Sequence, residues 1–220
     1  MSGIQDFQEY VDDFFGTSAA FPTTADPATP WLVADTSAAG APTYVRNASN
    51  AVLTLAATSE VENVCLHHGD ALSFDADDIL NIEYRVKVSG CTSGTIISWG
   101  LASARNDDPT AMTALALFKM TGATSTTDVT VETDDNVTDV APVSSSTALS
   151  TTFKRFVIDF SNKSDIKFYI DGQRVAKTTI FTMAGYTANL QPFVQIQKSA
   201  STNVDAVTVD YVKINARRTR

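Results

Sequence analysis

The sequence predicts an all-β fold, built as a sandwich or barrel of short antiparallel strands. From Trp31 onward, apolar side chains recur at every second residue, the period of a strand with one face in a core and the other in water. Clusters of Gly, Asn, Asp, Ser and Thr separate these runs, as turns between strands require. No long run after Phe15 keeps a helical period.

Residues 4–15 differ from the rest. Ile4, Phe7, Val11 and Phe14 are three and four apart, with acidic residues between them. This spacing predicts a short amphipathic helix, or an arm, that packs on something else. The alternative is that Asp13-Phe14-Phe15 opens the first strand. Residues 17–30 read as an extended connector rich in Thr, Ala and Pro. Strands are then predicted at 31–35, 51–57, 60–66, 79–88, 94–102, 111–119, 127–132, 191–198 and 205–214. In 79–88, Leu80, Ile82, Tyr84, Val86 and Val88 share one face, opposed by Asn81, Glu83, Arg85 and Lys87. Phe156, Ile158 and Phe160 repeat the pattern, as do Ile166, Phe168 and Ile170. Asp171-Gly172 joins 165–170 to 173–177 as a tight hairpin, because both turn residues must take positive φ. A parity switch after Tyr211 predicts a bulge. The stretch 121–152 suggests a hairpin at 127–140 with Asp134-Asp135-Asn136 at its tip, followed by a long surface loop. The organisation expected is an arm, 1–16, and one domain, 17–220.

The 220 residues carry a net charge of −9, which argues against direct nucleic-acid binding. The first residues show no secretory signal, and no apolar run is long enough for a membrane helix. Synthesis in a cytosol is therefore expected, with Cys65 and Cys91 as free thiols; a bridge after release into an oxidising medium is the alternative. His67 and His68 lie close to Cys65, but adjacent strand residues point to opposite faces.

Several segments resemble structural proteins of tailed bacteriophages: Thr29-Pro30-Trp31-Leu32-Val33-Ala34-Asp35-Thr36-Ser37-Ala38-Ala39-Gly40, Leu72-Ser73-Phe74-Asp75, Ile82-Glu83-Tyr84-Arg85-Val86, and Ser98-Trp99-Gly100-Leu101-Ala102 with the Asn106-Asp107-Asp108 that follows. Phe168-Tyr169-Ile170-Asp171-Gly172 and the closing Asp210-Tyr211-Val212-Lys213-Ile214 resemble hairpin and last strand of concanavalin A-like and laminin-G-like jelly rolls. The resemblance implies an antiparallel two-sheet jelly roll. It also implies a non-enzymatic head decoration protein on the capsid surface, made in the bacterial cytoplasm, whose partners are the major capsid protein and its own copies. A lectin-like module that binds glycans for a virion or tail is the second reading.

Candidate chemistry is sparse. Jelly-roll glycoside hydrolases usually carry Glu-x-Asp-x-x-Glu on one strand, and the nearest substitute found is Glu60-Val61-Glu62. There is no Gly-x-Ser-x-Gly elbow, Walker loop or His-Glu-x-x-His. No cofactor is expected unless calcium binds. Asp75, Asp77 and Asp78 would be its first site, ahead of Asn106-Asp107-Asp108 and Asp134-Asp135-Asn136, although Asp and Asn also form turns without metal. Tyr169 and Tyr186 are the glycan-binding candidates, while Trp99 is expected in the core. For partner contacts the candidates are Ile4, Phe7, Val11 and Phe14 in the arm, and Arg217 and Arg218 in the basic tail.

Overall fold

The computed structural model describes residues 7–16, 19–69 and 74–218. Seventeen strands follow one another: β1 Phe7–Asp12, β2 Ala19–Ala20, β3 Leu32–Asp35, β4 Thr43–Arg46, β5 Ala51–Thr54, β6 Glu60–His67, β7 Phe74–Asp75, β8 Ile79–Val88, β9 Thr95–Ala102, β10 Leu115–Thr121, β11 Asp128–Asp134, β12 Asp139–Ala148, β13 Lys154–Asp159, β14 Lys167–Ile170, β15 Gln173–Arg174, β16 Asn189–Ser201 and β17 Ala206–Arg217. The one helical piece among the described residues is a 3-10 turn, Pro109–Ala111.

The strands form two antiparallel sheets. The first runs β15-β14-β13-β8-β17-β5-β4-β2, with β1 also on β17; the second runs β12-β11-β10-β9-β16-β6-β3, with β7 on β16. Alternation puts Ile82, Tyr84, Val86, Phe156, Ile158, Phe168, Val212 and Ile214 of the first sheet against Val64, Leu66, Trp99, Phe118, Val131, Val194 and Ile196 of the second. The Trp99 ring lies 5.8 Å from Phe118 and 4.9 Å from Phe156, and Phe118 lies 5.2 Å from Phe168. These offset and edge contacts tie the layers together beyond the area they bury. Tyr84 crosses between sheets and donates to the Gly100 carbonyl at 2.6 Å.

The predicted bulge is present. Register slips between Val209 and Tyr211 opposite Val86 and Arg85, which returns Val212 and Ile214 to the core. A second slip, between Asn215 and Ala216, turns Ile79 inward instead of the expected Leu80. The hairpin also forms as predicted, with Asp171 at φ 49° and Gly172 at φ 79°. Gly172→Val should lower stability by about 1 kcal/mol or more, since a β-branched residue is strained at positive φ; a thermal melt checks it.

The arm is not helical, and that expectation is corrected. Phe7–Asp12 is a strand paired with Val212–Arg217. β5 covers β17 only from Ala206 to Val209, so the rest of that edge has open N–H and C=O groups, and β1 satisfies them. Tyr10 then faces inward, beside His68 and Phe74, and Asp12 accepts the Trp31 indole N–H at 2.8 Å. The long loop expected after the 127–140 hairpin is partly strand as well: β12 continues to Ala148 along β11. It carries two register slips, and Pro142 sits in one of them, between the pairs Val131–Val143 and Thr133–Val140.

One end of the sandwich holds a buried ion pair. Glu62 and Lys198 are register partners that face inward, and neither side chain is exposed. The Lys198 ammonium lies 3.5 Å from Glu62 and donates to the carbonyls of Ala56, Thr58 and Asn203. Glu62 accepts the Ala56 N–H at 2.8 Å and the Thr58 hydroxyl at 3.1 Å.

Candidate functional site

The outer face of the second sheet collects the side chains that alternation keeps out of the core. One row across the strands reads Thr130, Lys119, Ser98, Gln195, Cys65, Ala34. The next reads Thr121, Ile96, Gln197, Asn63. On a face turned toward water these groups would be exposed, yet Ser98, Cys65 and Gln195 are buried.

Over Cys65 and Gln195 the cover is the segment 103–114 between β9 and β10, here called the strap. Its base is closed by the Ser103 N–H on the Ala114 carbonyl and the Ala114 N–H on the Ser103 hydroxyl. Met112 packs in a small apolar cluster with Cys65, Ala102, Leu115, Leu117 and Phe193. At the tip, the Asp107 carbonyl accepts from the Asn63 and Gln195 amides, both at 2.9 Å. The Asp107 carboxylate takes the Thr36 hydroxyl at 3.0 Å and pairs with Arg105. Beside the tip is a groove of about 380 Å³ lined by Thr36, Val61, Asn63, Ile96, Asp107 and Gln197.

Further along the same face, Lys119 donates to both oxygens of Glu132, at 2.7 and 2.8 Å, and both side chains are nearly buried. Burial pushes the Glu132 carboxyl above the ordinary carboxylate range, while Lys119 works against the rise. Pro142 separates two small depressions here. One, of about 230 Å³, holds Lys119, Thr121, Ser125, Asp128 and Thr130; the other, of about 120 Å³, holds Glu132, Asp134 and Asp139.

The residues singled out from sequence lie elsewhere. Asp75, Asp77 and Asp78 form the turn between β7 and β8, where Asp75 accepts the Asp77 N–H and Asp77 pairs with Lys163. Asp135 caps its own turn through Val137 and Thr138 and accepts the Gly185 N–H. No three His, Cys, Asp or Glu side chains among the described residues converge as metal ligands. Tyr169 is half-buried on the outer face of the first sheet, beside Val157 and Arg174. Tyr186 packs on the core from the loop before β16. Ile4 falls outside the described residues. Phe7 and Val11 are exposed on β1, whereas Phe14 is core. Arg217 and Arg218 are exposed at the end of the chain described. Both cysteines are free and buried, and burial pushes each thiol up to about 12. Glu60 and Glu62 do share a face, but Glu62 is committed to Lys198 and Glu60 to the Ala39 N–H.

Solved structures share this architecture. The fold is a concanavalin A-like jelly roll. A pseudo β-1,3-glucanase of Mycobacterium tuberculosis, also an immunostimulatory antigen, matches with TM-score 0.65 and 15% identity over 95% of this chain and 98% of its own. The catalytic domain of an endo-1,3-β-glucanase (laminarinase) from Thermotoga petrophila matches with TM-score 0.61 and 12% identity over 98% and 100%. The carbohydrate recognition domain of Emp47p matches with TM-score 0.60 and 11% identity over 93% and 96%. No family model matches the sequence, and no curated protein matches it. The non-enzymatic reading drawn from sequence is corrected by these neighbours, because proteins with this concanavalin A-like architecture include catalytic domains. Nothing in the neighbours points to a phage or capsid role. Glu132 escaped the sequence reading, and Asp134 entered it only as part of the Asp134-Asp135-Asn136 tip, because the face each takes depends on which strands flank β11.

Proposed function

We propose that the chain recognises carbohydrate, laying a neutral glycan against the outer face of the second sheet. The observation that carries this is the groove beside the strap, where Asn63 and Gln197 flank the apolar floor of Val61 and Ile96, with Thr36 and Asp107 on the strap side. A few convergent polar groups over an apolar base are what a sugar ring needs, with its hydroxyl rim and C–H faces. The glycan-binding and glycan-cleaving proteins of the same fold support the reading.

Calorimetry with linear β-1,3-gluco-oligosaccharides and with neutral mucin glycans tests it. Asn63→Ala and Gln197→Ala should each weaken binding about tenfold, the worth of one or two good hydrogen bonds. Tyr169→Ala should leave affinity unchanged, and a large loss there would move the site to the first sheet. A place on a virion, which the sequence segments imply, would make the protein a particle-borne adhesin; cryo-electron microscopy of the particle checks that location.

A further inference from the structure

The strap uses the floor beneath it unevenly. The Asp107 carbonyl takes one N–H each from Asn63 and Gln195. The oxygens of the same two amides, Asn63 Oδ1 and Gln195 Oε1, have no donor, and neither does the neighbouring Ser98 hydroxyl oxygen have a partner. Ser98 and Gln195 are register partners, and all three residues are buried. Native proteins rarely bury polar atoms without partners, so three on one patch call for a further partner there.

We propose that the strap is a displaceable plug, with the Asp107 carbonyl occupying the position of a sugar hydroxyl oxygen, and that the binding site continues beneath it to Ser98. The inference rests on the carbohydrate reading and deepens it. The floor offers two N–H donors next to lone acceptors. A hydroxyl accepts and donates at once, so a neutral sugar satisfies both sets, as one main-chain carbonyl does not. A carboxylate or sulfate group on a sugar brings acceptors only, and it would meet the Asp107 carboxylate at the groove wall.

The two parts of the strap are held by different forces. Met112 is anchored among apolar side chains, and the base is closed by main-chain bonds. The tip is held by polar contacts, through Thr36 and the two amides, which water or a ligand can replace. The tip therefore lifts while the base stays.

Asp107→Ala removes the side-chain bond that ties the tip to Thr36 but keeps the tip carbonyl. Opening is read without any sugar through Cys65, the register partner of Gln195, whose amide the tip carbonyl caps: in a Cys91→Ser background, an aromatic disulfide reagent should label Cys65 about tenfold faster in Asp107→Ala. The same variant should bind a linear β-1,3-gluco-oligosaccharide about tenfold more tightly, because less of the protein is in the closed state. Thr36→Val, which removes the same contact from its other side, should shift both quantities in the same direction by a similar factor, and it serves if Asp107→Ala fails to fold. Equal oligosaccharide affinity in variant and parent overturns the plug and leaves the carbohydrate reading standing. Absence of binding in every protein overturns both.

Discussion

Lys198→Met should cost about 3–5 kcal/mol of unfolding free energy, because it strands the Glu62 carboxylate inside the sandwich without its countercharge. Urea denaturation followed by tryptophan fluorescence measures this, with Trp31 and Trp99 both buried as reporters. The loss has two parts. Glu62 keeps its Ala56 and Thr58 donors, but the carbonyls of Ala56, Thr58 and Asn203 lose the ammonium that gathers them. Glu62→Leu combined with Lys198→Met should recover a large share of the stability, since an apolar pair carries no stranded charge. If the double variant is no better than the single one, the ammonium acts by organising the three carbonyls rather than by neutralising Glu62.

Lys119→Met should cost about 3 kcal/mol at neutral pH, the lower end of the same range, because the adjoining depressions give water a route to the stranded charge. Its signature is the pH dependence. Burial already holds the Glu132 carboxyl above its ordinary range, and Lys119 is what limits the rise. A carboxyl raised on folding ionises more readily in the unfolded chain, so its ionisation removes stability as pH climbs from the ordinary carboxylate range through the folded value. Without Lys119 that fall should steepen and extend to higher pH. Below the carboxylate range Glu132 is neutral in both proteins, and the gap between them should close. A gap that stays constant from acid to neutral pH would assign the loss to packing.

The elements that sequence made legible are those with a strong local cause. The hairpin at Asp171-Gly172 follows from two residues that tolerate positive φ, and the bulge near Tyr211 from a parity switch that only an extra residue can absorb. β8 and the strands near the middle of each sheet follow from alternation. β1 was misread because Phe7, Val11 and Phe14 do have helical spacing, whereas its strand character depends on an open edge of β17 more than two hundred positions away. The covered outer face of the second sheet was illegible for a related reason. Asn63, Gln195 and Gln197 look like ordinary water-facing strand positions. Nothing in the sequence shows that 103–114 folds back over them, or that Lys119 and Glu132 meet diagonally across β10 and β11. The acidic clusters invited a metal reading by composition alone, yet Asp75 and Asp135 accept N–H groups of their own turns, the commoner use of Asp in a loop.

Pro142 has a further consequence, since β12 forms the rim of the second sheet. A proline offers no N–H to an incoming chain, and its slip in register bends the rim away from the flat line that a recruited strand would follow. Copies of the protein can therefore be crowded side by side without polymerising through this margin, and Pro142→Thr with its neighbours regularised should turn a well-behaved solution into one that thickens into fibrils.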